Sequence, residues 1–128
     1  MKVLITLLFI LSLSGCAVAN KYMVSPFDNV EYGKLVELNT TASTPNGPEK
    51  SWCNSLELQM IHYYAKYLAT YSKHTLNSNI ANTYQEIYSL SEELYTRKNP
   101  SNAYCKIKRN NIFKVTTSAL EVYGDRRK

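Results

Sequence analysis

The chain has 128 residues, 45% of them hydrophobic and 20% charged, with 15 Lys+Arg against 10 Asp+Glu. This length supports one hydrophobic core rather than two, and the apolar content excludes wholesale disorder. With 4 Gly, 4 Pro and 3 Cys, the chain is neither fibrous nor a disulfide-dense miniprotein.

Met1-Lys2 is a short positive start, followed by an apolar run over Val3–Leu13 interrupted only by Thr6 and Ser12. Such a run makes a helix of about 16 Å, half of a ~30 Å hydrocarbon core, so it is too short to span a bilayer. Residues 1–15 therefore read as a secretory signal. No later stretch approaches the length and apolarity of a spanning helix.

The signal ends in Leu13-Ser14-Gly15-Cys16. These four residues resemble the lipobox of bacterial lipoprotein precursors: an aliphatic residue, two small ones, then the cysteine to be lipidated. The resemblance covers the first sixteen residues. It implies diacylglyceryl transfer to the Cys16 thiol, cleavage before Cys16, and acylation of the new amino group with a palmitate-type chain. The lipid bilayer is then a partner, held through Cys16. Ala17 is not the aspartate that in this family favours the inner membrane, which implies an outer-membrane lipoprotein facing the periplasm. Ala17-Val18-Ala19 offers a competing A-x-A cleavage before Asn20 and a soluble product. Cysteine parity favours lipidation, because modifying Cys16 leaves Cys53 and Cys105 as a pair.

Residues 16–27 lack periodicity and contain Ser25-Pro26, as expected of a tether, and residues 28–128 form a single domain. Asp28 caps a first short helix reaching Thr41, with Val30, Leu35, Val36 and Leu38 among charges. Residues 42–47 (ASTPNG) form a loop. Pro48 and Glu49 suit the start of a second helix running to about Asn77. Trp52, Leu56, Met60, Tyr63, Tyr67 and Tyr71 recur there at three- and four-residue steps, with Leu58, Ile61, Ala65 and Leu68 widening the face. A third helix carries Ile80, Tyr84, Ile87, Leu90 and Leu94. Asn99-Pro100 opens a fourth, with Ile112, Val115, Ala119 and Val122, ending near Gly124. With no sustained alternation, the fold class is all-α: a small up-and-down bundle of three to four helices.

Cys53 lies five residues after Pro48 and Cys105 five after Pro100, each preceded by an aromatic. If helices two and four run parallel, both cysteines stand at the same height near their starts. A Cys53–Cys105 disulfide is then natural, and export supplies the oxidising compartment. The alternative is two buried free thiols; without a C-x-x-C motif, a redox-active pair is not expected.

Catalytic chemistry finds no foothold in these residues. His62 shares its stripe with Ser55, Gln59, Lys66 and Lys73, a solvated face, and neither it nor His74 has metal-ligand spacing. No G-x-S-x-G or Gly-rich phosphate loop occurs, and the adjacent Glu92 and Glu93 point in different directions. No enzyme, metal or cofactor is expected. Asn39-Thr40-Thr41 is a glycosylation sequon that the lipobox makes accidental.

Most tyrosines belong to a core with hydroxyls reaching water. Tyr63 and Tyr64 cannot share one core line, however, and Tyr64, Tyr71 and Tyr88 are candidates for a partner-facing patch. Charge is uneven: residues 20–96 hold five Lys against eight acids, a net −3, whereas 97–128 hold nine Lys+Arg against two acids, a net +7. Lys106, Lys108, Arg109, Lys114, Arg126, Arg127 and Lys128 are candidates for binding an anionic surface, with solubility as the plainer explanation. Export disfavours nucleic acid. The expectation is a lipid-anchored, non-catalytic binding or scaffold subunit with an envelope protein partner, or alternatively a periplasmic immunity or inhibitor protein neutralising a toxin or hydrolase.

Overall fold

The computed structural model describes residues 28–45, 51–74 and 78–125. The signal segment, Cys16 with its tether, Pro48, Asn77 and Arg126–Lys128 lie outside them. Four helices follow in order: α1 (Asn29–Ser43), α2 (Ser55–Ser72), α3 (Ser78–Thr96) and α4 (Asn102–Asp125). There is no strand among the described residues.

Each helix start has a local cause. Asp28 adopts extended backbone, and its Oδ1 accepts from the amides of Val30 and Glu31 at 2.9 and 3.3 Å. Asn54 caps α2 in the same way, accepting from Leu56 and Glu57. The second helix thus begins at Ser55, and residues 51–54, expected to be helical, are not. Ser51 takes the amides of Cys53 and Asn54 through its hydroxyl and carbonyl, so Trp52-Cys53 is a turn rather than a helical segment. A similar shift occurs at α4. Asn99 sits at φ 49°, a left-handed conformation that asparagine tolerates, and the Ser101 hydroxyl caps by accepting from the Tyr104 amide at 3.1 Å.

The helices form an up-and-down bundle in which α1 and α3 each pack against both α2 and α4, leaving α2 and α4 diagonal to one another. Side-chain contacts fix the directions. The start of α1 meets the end of α4 (Asp28 to Tyr123) and its end meets the start of α4 (Thr41 to Arg109). Antiparallel contacts likewise join α2 to α3 (His62 to Glu92) and α3 to α4 (Glu93 to Lys108). Helices α2 and α4 are therefore parallel, and the Cys53–Cys105 disulfide bridges their starts across the diagonal with Cα atoms 5.4 Å apart. Cys105 lies in the first turn of α4, whereas Cys53 lies in the turn before α2.

The core is built from Leu35 and Leu38 of α1, Ile61 and Leu68 of α2, Tyr84, Ile87 and Leu94 of α3, and Ile112 of α4. Two expected stripes are corrected. On α2 the aliphatic set Leu58, Ile61, Ala65 and Leu68 faces inward, while Leu56 and Tyr63 are 64% and 60% exposed. On α4, Val122 is exposed, and the buried line is instead Cys105, Arg109, Ile112, Thr116, Ala119 and Tyr123. That line contains polar groups, which aliphatic periodicity cannot find.

Two polar clusters close the ends of the bundle. At one end Arg109 is fully buried. Its Nη1 donates to Glu57 Oε2 at 2.7 Å and to the Trp52 carbonyl at 3.1 Å, and its Nη2 donates to the Thr41 carbonyl. The guanidinium also lies 5.5 Å from the Trp52 ring centre. At the other end, the Asp28 amide donates to the Tyr123 hydroxyl at 2.9 Å, and Tyr71 donates to Asp28 Oδ2. The Tyr123 hydroxyl lies 3.1 Å from the buried carboxylate of Glu31. Midway between, Asn39 Nδ2 donates to Thr116 and Thr117 at 2.9 Å, so the sequon asparagine is spent on the α1–α4 interface.

Two outcomes follow for stability. Removing the disulfide as the paired Cys53→Ser, Cys105→Ser variant should cost about 4 kcal/mol in the chain-entropy model for a loop of this separation, read by urea denaturation with and without reductant. Arg109→Ala should cost about 3–5 kcal/mol, because it leaves Glu57 without its ion-pair partner. A double Arg109→Met, Glu57→Gln variant should recover a large part of that loss in the same titration.

Candidate functional site

The surface most unlike a solvated helix face is the outer side of α2. The residue order on this helix separates aliphatics from aromatics: the bundle takes Leu58, Ile61, Ala65 and Leu68, and the opposite side keeps Leu56, Met60, Tyr63 and Tyr67. Tyr67 stacks on Tyr71 with ring centres 5.8 Å apart, and Tyr63 meets Tyr64 edge-on at 5.6 Å. Lys34 of α1 lies 5.3 Å from the Tyr64 ring centre and is held by Glu37 at 3.1 Å. That hydrogen bond raises the Lys34 ammonium above its ordinary pKa. Tyr63, Lys66, Tyr67, Thr70, Tyr71 and His74 line a shallow, mainly apolar groove of about 350 Å³.

The expected partner-facing tyrosines are only partly of this kind. Tyr71 lines the groove, but its hydroxyl is engaged with Asp28. Tyr64 is half-buried against the core, and Tyr88 is half-buried beside His62. Among the described residues the most exposed tyrosines are Tyr63, at 60%, which its spacing places on the core stripe, and Tyr95, at 44%. The aromatic surface therefore centres on Tyr63 rather than Tyr64.

His62 does not lie on a solvated face. Its Nε2 is 2.6 Å from Glu92 Oε2, and its ring stacks on Tyr95 with centres 4.5 Å apart. The hydrogen bond from His62 holds the Glu92 carboxyl below its ordinary range, and burial pushes Tyr88 up. This pairing links residues thirty positions apart on different helices, so no local spacing signals it. Glu92 and Glu93 do diverge as their adjacency requires, the first reaching α2 and the second reaching Lys108 of α4 at 2.6 Å.

The basic candidates are not one patch. Arg109 is corrected from a surface group to the buried partner of Glu57: as an inward position of α4 it has no route to an external anion. Lys106 lies 5.6 Å from the Trp52 ring centre and Lys108 5.7 Å from the Tyr104 ring centre, both near the disulfide end. Lys114 is exposed near the middle of α4. Arg97, Lys98, Tyr104 and Lys108, with Glu93 and Thr96, line an open polar groove of about 720 Å³ at the disulfide end.

Among the described residues no group of three or more His, Cys, Asp or Glu side chains is placed to hold a metal. No described helix is long and apolar enough to cross a membrane. No family model, curated relative or solved structure matches the chain.

The Tyr71–Asp28 contact makes a pH prediction. Accepting from Tyr71 lowers the Asp28 carboxyl below its ordinary 3.8, and the same bond pushes the Tyr71 hydroxyl from 10.0 to about 12. Above pH 10 the unfolded chain loses tyrosine protons that folded Tyr71 keeps. The native state then binds more protons and stability falls as pH rises through about 12. On the acid side the Asp28 contribution is present above 3.8 and lost as pH falls below it. Chemical denaturation across these two windows, with Tyr71→Phe showing a shallower decline in both, is the check.

Proposed function

We propose that this protein is a lipid-anchored component of the bacterial envelope, carried on Cys16, whose helical bundle is a non-catalytic binding or scaffold subunit at the periplasmic side of the outer membrane. The observation that carries this reading is the Cys53–Cys105 bond. Of the three cysteines in the sequence, it leaves Cys16, which stands in the lipobox position of Leu13-Ser14-Gly15-Cys16. A bridge of this kind persists in an oxidising compartment, which is where an export signal delivers the chain.

Two acyl attachments give stable anchoring where one chain does not. Cys16 precedes Asp28 by twelve residues, a separation of at most about 40 Å when fully extended, so the Asp28–Tyr71–Tyr123 end is the tethered one. The Trp52–Arg109 end, with the disulfide, is the far one. Tethering raises the effective concentration of the exposed α2 face for other membrane-held molecules. The flat aromatic character of that face favours a scaffold. The open groove of Arg97, Lys98, Tyr104 and Lys108 at the far end supports the second reading, an inhibitor that caps an acidic cleft of a toxin or hydrolase.

The test is the intact mass of protein extracted from membranes, with and without reduction before alkylation. The expected species starts at Cys16, carries the mass of a diacylglyceryl group and an acyl chain, and takes up alkylating agent only after reduction. A Cys16→Ala variant should leave the membrane fraction. A lipid-free species starting at Asn20 would overturn the anchor and bring the inhibitor reading forward.

A further inference from the structure

The exposed residues of α2 have an order of their own. Leu56, Met60, Tyr63, the half-buried Tyr67 and Thr70 are separated by steps of four, three, four and three, and His74, in the turn after α2, follows by four more. This is the a/d spacing by which one helix packs along another. The bundle already uses the same spacing on the inner side, where Leu58, Ile61, Ala65, Leu68 and Ser72 are buried. The two seams lie about 200° apart around the helix, so α2 is built to pack on both sides while the described fold covers one.

We infer that the outer seam of α2 pairs in parallel with the same seam of a second copy of this chain; the parallel sense rests on the lipid anchor proposed above. Two features select this occupant. In a parallel pair the flanking positions set Lys66 against Tyr71 and Gln59 against Tyr64 of the other copy, so no like charges oppose one another. Copies anchored through Cys16 also present their Asp28 ends to one membrane surface. A two-fold axis along the membrane normal then aligns their α2 helices in the same direction.

The exposed parts of Leu56, Met60, Tyr63 and Tyr67 fall short of the roughly 800 Å² per partner of a standard stable interface. Pairing consequently depends on the concentration that the membrane supplies, and dilute detergent-free domain stays monomeric.

The test is disulfide crosslinking of the full chain in its native membranes, with Leu56→Cys, Tyr63→Cys and Thr70→Cys made singly and Glu121→Cys on the outside of α4 as control. The expected result is a reducible dimer at positions 56, 63 and 70 and monomer at 121. Adding Tyr63→Lys to the Leu56→Cys variant should lower that dimer at least tenfold. Monomer at all three seam positions overturns the inference, as do adducts with a protein of another mass. Crosslinking at Tyr63 alone marks an antiparallel copy and overturns the parallel pair. Because a new cysteine could disturb the native bridge, the dimer is also read by photocrosslinking from benzoylphenylalanine at position 63, where the outcomes carry the same meaning. Lipid is scored by mass on the same bands. A lipidated protein that stays monomeric overturns the pairing and leaves the anchor standing, whereas a lipid-free protein that crosslinks at all three positions overturns the anchor and keeps the pairing.

Discussion

The structure turns on one guanidinium taken out of water. A buried arginine costs several kcal/mol unless its donors are matched, and Arg109 finds acceptors on three separate segments: the last turn of α1, the turn at Trp52, and the first turn of α2. Those acceptors fix where the α1–α2 connection returns to the bundle. Because Trp52 is held there by its carbonyl, its ring and the hydrogen bond its backbone N–H donates to Asn102 Oδ1, Cys53 is delivered to Cys105. The ion pair and the disulfide thus cross the same diagonal at the same end. Helices α2 and α4 share no direct backbone packing, and these two links are what tie them.

The opposite end solves a different problem with neutral donors. Tyr71 and Tyr123 bring hydroxyls from the ends of α2 and α4 to the cap of α1. Aromatic bodies fill the space between helices while the hydroxyls reach Asp28 and one oxygen of the buried Glu31 carboxylate. Several of the tyrosines are therefore structural posts, and among the described residues the rings most open to solvent are Tyr63 on the outer face of α2 and Tyr95. The bundle acquires two unlike ends and one apolar flank. One end holds the Asp28 cap of α1, the other carries the bridge and the basic groove, and the flank runs between them.

Much of the fold was legible in the sequence because it is written in short-range terms. Four helices, the Asp28 cap and the parallel pairing of α2 with α4 follow from residues a few positions apart, from breakers and from equal spacings. The boundaries shifted where Ser51, Asn54 and Ser101 drew backbone amides to their own side chains, an effect that competes with the helix only once the chain returns to the bundle. On α2 the periodicity merges both apolar lines into one face, and only packing separates the buried aliphatic line from the exposed one.

What the sequence determined by itself is the helical class and the cysteines available to pair, both properties of adjacent or regularly spaced residues. What only the tertiary structure decided is which groups leave water. Arg109 became a core residue instead of a surface cation, His62 found Glu92, Asn39 was taken up by α4, and Tyr63 rather than Tyr64 was left outside. Each of these outcomes depends on a partner thirty or more residues away or on the helix rotation that packing imposes. Burial of a polar side chain is settled by the geometry of its partners, not by its own position in the chain.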